Sequence, residues 1–388
     1  MNNVFLPTFG NRPQQIIGRD TEIAEFMEGL TGELGHPNRA TFFIGQRGIG
    51  KTALLLELAV RAKREGFITV RTVASEHMLK EIIEGIQIAG IHSTEGTKHP
   101  IKGVSAGAFG FSVGLTFNEE IRENFGFRTK LTLLCEELAK RDMGLLFLID
   151  EVRASTAEMR EFATTYQYLV GEGMDVAVAM AGLPDAVSSV LNDKILTFLN
   201  RAHKVDLGLL PIAEVSIYYA KVFRDQGIHF DAQIIDAAAQ ATKGYPYLLQ
   251  LIGYNLVKLL DGADRLTEAM VELAVINSIR TLESDVFAPC LDPLSIEDRR
   301  FLKAMSKDLE ESRVSDLAER LGVSKSHIQT YRQRLIEADV IHSPSRGVVA
   351  FSIPYLGQYL RGEELSDLKG KIRFYDGYDY KALREMRS

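Results

Sequence analysis

Cysteine is scarce: the 388 residues hold two, Cys135 and Cys290, far apart and each within an apolar stretch. This excludes a disulfide framework and a CxxC metal or redox site, and it predicts two buried thiols in a reducing compartment. Positive charge is also short, with 45 lysines and arginines against 52 aspartates and glutamates, a net charge of −7 and a pI of about 5.7. Without a global basic field, any nucleic-acid contact has to come from a local patch. Long apolar runs are missing: LLFLI and VAVAMAGLP fall well short of the roughly 20 residues that span a bilayer. The opening MNNVFLPTFGNRPQQ has neither the charged region nor the apolar core of a secretory signal. The expectation is a soluble, cytoplasmic protein with no membrane partner. The eight histidines are scattered. No Ser/His/Asp set, HExxH, Cys/His cluster or flavin fingerprint supports a metabolic enzyme.

The stretch GQRGIGKT, residues 45–52, is the strongest motif present. It satisfies GxxxxGKT at every fixed position, between a buried strand, ATFFI, and a helical run that ends in basic residues and Gly66. Gly45, Gly48 and Gly50 let the backbone turn tightly with its N–H groups inward. Gln46, Arg47, Ile49 and Ala53 complete the cradle, Lys51 reaches phosphate oxygens, and the Thr52 hydroxyl is suited to ligate Mg²⁺. Hydrolysis needs acids as well as a cradle. GLLFLIDE, residues 144–151, supplies them at the end of a continuous apolar run suited to a central parallel strand. Asp150 is assigned to the Mg²⁺ site, and Glu151, one residue beyond the strand end, to polarising the attacking water.

These motifs resemble those of P-loop ATPases of the AAA+ superfamily, closest to the branch shared by origin-recognition/Cdc6-like proteins, archaeal-type ATPases and the STAND signal-transduction ATPases. The likeness extends over most of residues 16–250. IIGRDTE resembles the box before the P-loop that covers the adenine, with Ile17, Gly18 and Arg19 at the matching positions. VAVAMAGLP resembles the sensor 1 strand but has no Asn, Ser or Thr at its end. FLNRAHKVDLGLLP resembles the segment that carries an arginine finger or sensor and then the last sheet strand, which implies such a role for Arg201. KGYPYLLQLIGYNL falls where a second sensor would lie and carries Gly244 and Pro246 in place of arginine, as in STAND proteins, where the proline packs near the base. ATP with Mg²⁺ is the implied cofactor, and ATP hydrolysis the implied activity.

Pattern divides the rest. The expected architecture is α/β: an αβα P-loop domain with a parallel sheet over 1–208, a helical lid over 209–288, a winged helix-turn-helix over 289–362, and a tail over 363–388. FITVRTVAS reads as a second strand. Residues 76–143 read as inserted helices around a Gly-rich β-hairpin at 103–117. In the third part, SIEDRRFLKAMSKD, VSDLAERLGV and SKSHIQTYRQRLIEADVI predict three helices with Gly322 at the tight turn, and HSPSRGVVAFSI a two-stranded wing turning at Ser345, Arg346 and Gly347. On the third helix Ile328, Tyr331 and Leu335 share one face. Ser326, Gln329, Thr330 and Gln333 share the other, flanked by Lys325 and Arg334. Amides there are suited to pair with base edges, and the basic residues with phosphates. Glu337 shares that face, and winged helices of this superfamily also serve to pack against protein.

Two functions follow: a slow, DNA-associated ATPase switch, or a STAND-like regulator whose winged helix meets protein. A homo-oligomer or a protein partner fits either.

Overall fold

The computed structural model describes residues 3–8, 13–95, 111–113, 116–117, 121, 124–153 and 156–363. The Gly-rich stretch 101–110 and the tail beyond 363 lie outside them. The chain divides into two compact units: Arg19–Gly45 with Lys51–Leu207, and Met1–Gly18 with Gln46–Gly50 and Gly208–Ser388.

The first unit is built on strands β1 (Ala40–Ile44), β2 (Phe67–Val73), a short pair β3 (Phe111–Val113) and β4 (Thr116–Phe117), β5 (Gly144–Val152), β6 (Val176–Gly182) and β7 (His203–Asp206). Five of them form a parallel sheet in the order β2-β5-β6-β1-β7, while β3 and β4 pair antiparallel. Parallel neighbours need crossovers, and the helices that make them cover both faces. That is why β5 and β6 read as unbroken apolar runs: Leu145–Ile149 and every residue of β6 are buried. Edge strand β7, HKVD, has no fully buried residue. The helix Lys51–Arg64 packs Leu54, Leu55, Leu58 and Ala62 inward, one apolar stripe at helical spacing, and places Arg61, Lys63 and Arg64 in its last turn, where cations oppose the helix dipole. Gly66, at φ +87°, follows that last turn.

One detail departs from the expected strand end. β5 does not stop before Glu151 but continues to Val152, which is buried and pairs with Gly182. The register shifts between Ile149 and Val152, and Glu151 takes φ +49°. The burial of Val152 anchors the chain on both sides of the acids, so the backbone between must bulge.

The second unit is helical through Ile212–Asp225, Ala232–Ala241, Pro246–Leu260 and Glu268–Leu282. Phe5 enters this bundle, its ring 5.7 to 6.1 Å from those of Tyr218, Tyr219 and Phe223. It lies so close to Gly253 that a Cβ there would meet it at 2.4 Å. After a π-helical turn, Glu283–Phe287, come Ala288–Leu291 and the expected trio Ile296–Met305, Val314–Leu321 and Lys325–Glu337, with Gly322 at φ +65° between the last two. The wing is larger than expected. β8 (Glu311–Arg313), β9 (Ile341–His342) and β10 (Val348–Phe351) form an antiparallel sheet ordered β8-β10-β9. Three residues, ESR, are too short for a period to show, and β8 is held partly by the buried Ser312, whose hydroxyl donates to Asp308 at 2.6 Å. A single apolar cluster runs through the lid helices and the winged helix alike.

Candidate nucleotide-binding site

The first group of site residues lies at the carboxyl ends of β1 and β5, where open α/β sheets place their ligands. After β1, the Gly45 N–H donates to the Gly182 carbonyl at 3.2 Å. Gly48 and Gly50 then take φ of +72° and +90°, values that an L side chain adopts only under strain. A left-handed residue next to a right-handed one turns successive amides to one side, which is how a loop forms an anion nest. The Lys51 ammonium donates to the Gly45 carbonyl at 2.6 Å, so the cation spans the base of the loop. The Thr52 hydroxyl donates to the Asp150 carboxylate at 2.8 Å. Asp150 is buried, and its other oxygen accepts the Glu151 N–H at 2.9 Å. A hydroxyl and a desolvated carboxylate side by side are hard oxygen donors, the set Mg²⁺ takes along with phosphate oxygens. Glu151 itself is exposed and meets Arg153 at 2.9 Å.

A second group lies wholly in the other unit, around residues 46–50. The Arg47 N–H donates to the Asp339 carboxylate at 2.7 Å, and its carbonyl accepts the Tyr245 hydroxyl at 2.9 Å. A Cβ on Gly48 would fall 2.1 Å from the Tyr245 oxygen, so glycine is required there by contact as well as by φ. Gly50 faces Pro246, whose Cβ is 3.9 Å from where a Gly50 Cβ would stand. Pro246 opens its helix at a position where the missing N–H costs nothing. Gly18, at φ +63°, packs on Leu210 and Glu214, and Ile17 is partly buried against the same core.

Each group thus gathers its motif residues within its own unit, and the second contains three residues that the motifs did not single out: Tyr245, Cys290 and Asp339. Tyr245 stands inside the quoted Gly244-x-Pro246 stretch and shows no mark of its role beyond that. Asp339 reaches Arg47 across 292 positions, a separation no local pattern reports. Both cysteines are buried as expected, and burial pushes the Cys135 thiol up to about 12.

Residues 284–360 match a family model described as a domain of unknown function (DUF8462). No curated protein matches the chain. Among solved structures, the Walker-type ATPase PABY2304 of Pyrococcus abyssi is 15% identical, with 90% of this chain and 97% of that one covered at a TM-score of 0.62. The ORC2 protein of Aeropyrum pernix in ADPNP–ADP complexes is 14% identical over 98% of both chains, at a TM-score of 0.57. The chain has the fold of a Walker-type ATPase. In this Walker-type fold the expected α/β P-loop core, helical lid and winged helix are all present.

The remaining expected residues of the Walker-type fold are placed as follows. Arg19 is buried and lies 3.6 Å from Glu22, and Ala53 sits in the first turn of the loop's helix, partly buried. Arg201 stands exposed at the end of a 3₁₀ turn, Thr197–Arg201. On the winged helix, Lys325, Ser326, Gln329, Thr330, Gln333 and Arg346 are all exposed. The Gln333 amide donates to Glu337 at 3.1 Å. Arg334 pairs with buried Asp298 at 2.6 Å and so ties the first and third helices of the trio together. Among the described residues no helix is long and apolar enough to cross a membrane.

Proposed function

We propose that this protein binds ATP with Mg²⁺ and hydrolyses it slowly, using the bound nucleotide as a switch, and that its winged helix meets double-stranded DNA. The observation that carries the nucleotide reading is the 2.8 Å bond between Thr52 and buried Asp150, directly after a loop whose glycines take left-handed φ. Thr52 and Asp150 are the residues that would hold Mg²⁺, which when bound supplies positive charge against the phosphates. Lys51 binds phosphate oxygens by exchanging its bond to the Gly45 carbonyl for them. Glu151, on the bulged end of β5, accepts a proton from water, and its exposure leaves the carboxylate within reach of solvent. Arg201 is assigned to a neighbouring copy's nucleotide, because its own turn presents it to solvent.

DNA is the reading favoured by the exposed row Lys325, Ser326, Gln329, Thr330 and Gln333, with Arg346 on the wing. The second reading, a winged helix that packs against protein, is favoured by Arg334, whose charge is already committed to Asp298. The test is ATPase rate per subunit against protein concentration, with and without duplex DNA, at low and high salt. A slow basal rate should rise with both, and Arg201→Ala should remove the rise, of order 10³-fold or more, while leaving ATP binding nearly intact. Phosphate contacts make DNA retention fall steeply with salt, so retention that ignores salt, or none, favours the protein-packing reading. A fast rate independent of concentration and DNA defeats the switch.

A further inference from the structure

Arg47, third residue of GQRGIGKT, is held from three sides. Its N–H donates to Asp339, its carbonyl accepts from Tyr245, and its guanidinium charge acts on the Cys290 thiol, which burial pushes above its ordinary range and Arg47 draws back. These partners come from three elements: the turn before Pro246–Leu260, the short helix Ala288–Leu291, and the end of the winged helix's third helix. All are buried, Tyr245 to 1%, Asp339 to 4% and Cys290 to 7% of full exposure.

The position of Asp339 is set by how its helix ends. Asp339 takes φ +58°, and its N–H closes on the Ile336 carbonyl at 2.8 Å while the Val340 N–H closes on Leu335 at 3.1 Å. Aspartate tolerates the left-handed region better than most residues, so the turn holds the carboxylate in place at low cost. Burial, then the charge of Asp339, pushes the Tyr245 hydroxyl above its ordinary range, which keeps it a donor.

The choice of an acid here has a physical consequence. Any neutral acceptor would satisfy the Arg47 amide. Amides of such a loop are where phosphate anions bind, and a desolvated carboxylate on one of them repels the same charge the loop is shaped to receive. We propose that Asp339 is a charge-discriminating residue of the nucleotide site: seated on the Arg47 amide it opposes bound polyphosphate, triphosphate more than diphosphate. Linkage makes the effect reciprocal, so polyphosphate weakens the hold of the winged helix on the loop by the same factor. The inference rests on the nucleotide reading above.

The test titrates the full-length protein with the non-hydrolysable analogue ADPNP and with ADP, as wild type and as Asp339→Asn, which keeps an acceptor for the amide but removes the charge. Asp339→Asn should bind ADPNP about tenfold tighter, and ADP tighter by a smaller factor. Amide hydrogen exchange over residues 335–342 of the wild type should quicken when ADPNP is added, a readout that does not depend on the variant folding. Affinity of Asp339→Asn equal to or weaker than wild type overturns the inference, as does exchange that ADPNP leaves unchanged or slows. A wild type that binds neither nucleotide defeats the nucleotide reading itself; a wild type that binds, with no gain in the variant, defeats the role of Asp339 alone.

Discussion

Lys51→Ala should lose tight ATP binding, with affinity falling by about two orders of magnitude. The ammonium is held by the loop's own backbone, 2.6 Å from the Gly45 carbonyl, and alanine has no charge to replace it. A charge-assisted hydrogen bond to phosphate is worth about 1.5 to 3 kcal/mol, and loss of its long-range attraction adds to that. The fold should survive. Lys51 is only partly buried, and its truncation removes a bond to a carbonyl at the loop's edge rather than a piece of the core. Titration with ADPNP, beside a melting curve to show that the variant is folded, measures the effect. Wild-type affinity in a folded Lys51→Ala variant would sink the assignment.

Glu151→Gln should show the opposite pattern, with binding within a few-fold of wild type and single-turnover hydrolysis slower by about 10²- to 10⁴-fold, because an amide cannot accept the proton of the attacking water. The surroundings make this a clean substitution. Glu151 is exposed, and its pairing with exposed Arg153 contributes little to stability. The left-handed backbone at this position is set by the buried anchors Asp150 and Val152, not by the carboxylate, so it should persist in the variant. A Glu151→Gln variant that hydrolyses ATP at the wild-type rate would make the residue a bystander and leave the base to be sought elsewhere.

The parts of the site legible in the sequence are those whose chemistry is local. GQRGIGKT, the apolar run into Asp150 and Glu151, and Gly244-x-Pro246 each constrain a few successive residues, and the backbone conforms to each. The central strands β1, β5 and β6 were legible for the same reason, since burial on both faces leaves runs such as ATFFI, LLFLI and VAVAMAG, whereas edge strand β7, with no fully buried residue, was legible only through the resemblance. Relations between distant segments were not. Asp339 on Arg47, Phe5 in the lid bundle and Arg334 on Asp298 depend on packing between parts of the chain with no shared period. The extra residue in β5 was hidden differently: the bulge follows from Val152 being buried, and a valine after two acids reads equally well as the start of a loop.

The uninterrupted apolar cluster through lid and winged helix bears on how a signal could travel. Phe287 touches Tyr359 at 5.3 Å between ring centres, Tyr355 donates to the Ala241 carbonyl at 2.7 Å, and buried apolar residues of the helices 212–282 and of the trio that follows belong to one cluster. Close-packed interiors resist being sheared in small steps. The C-terminal half is therefore expected to move as one body, so that a displacement at Tyr245 is shared by the helix Lys325–Glu337.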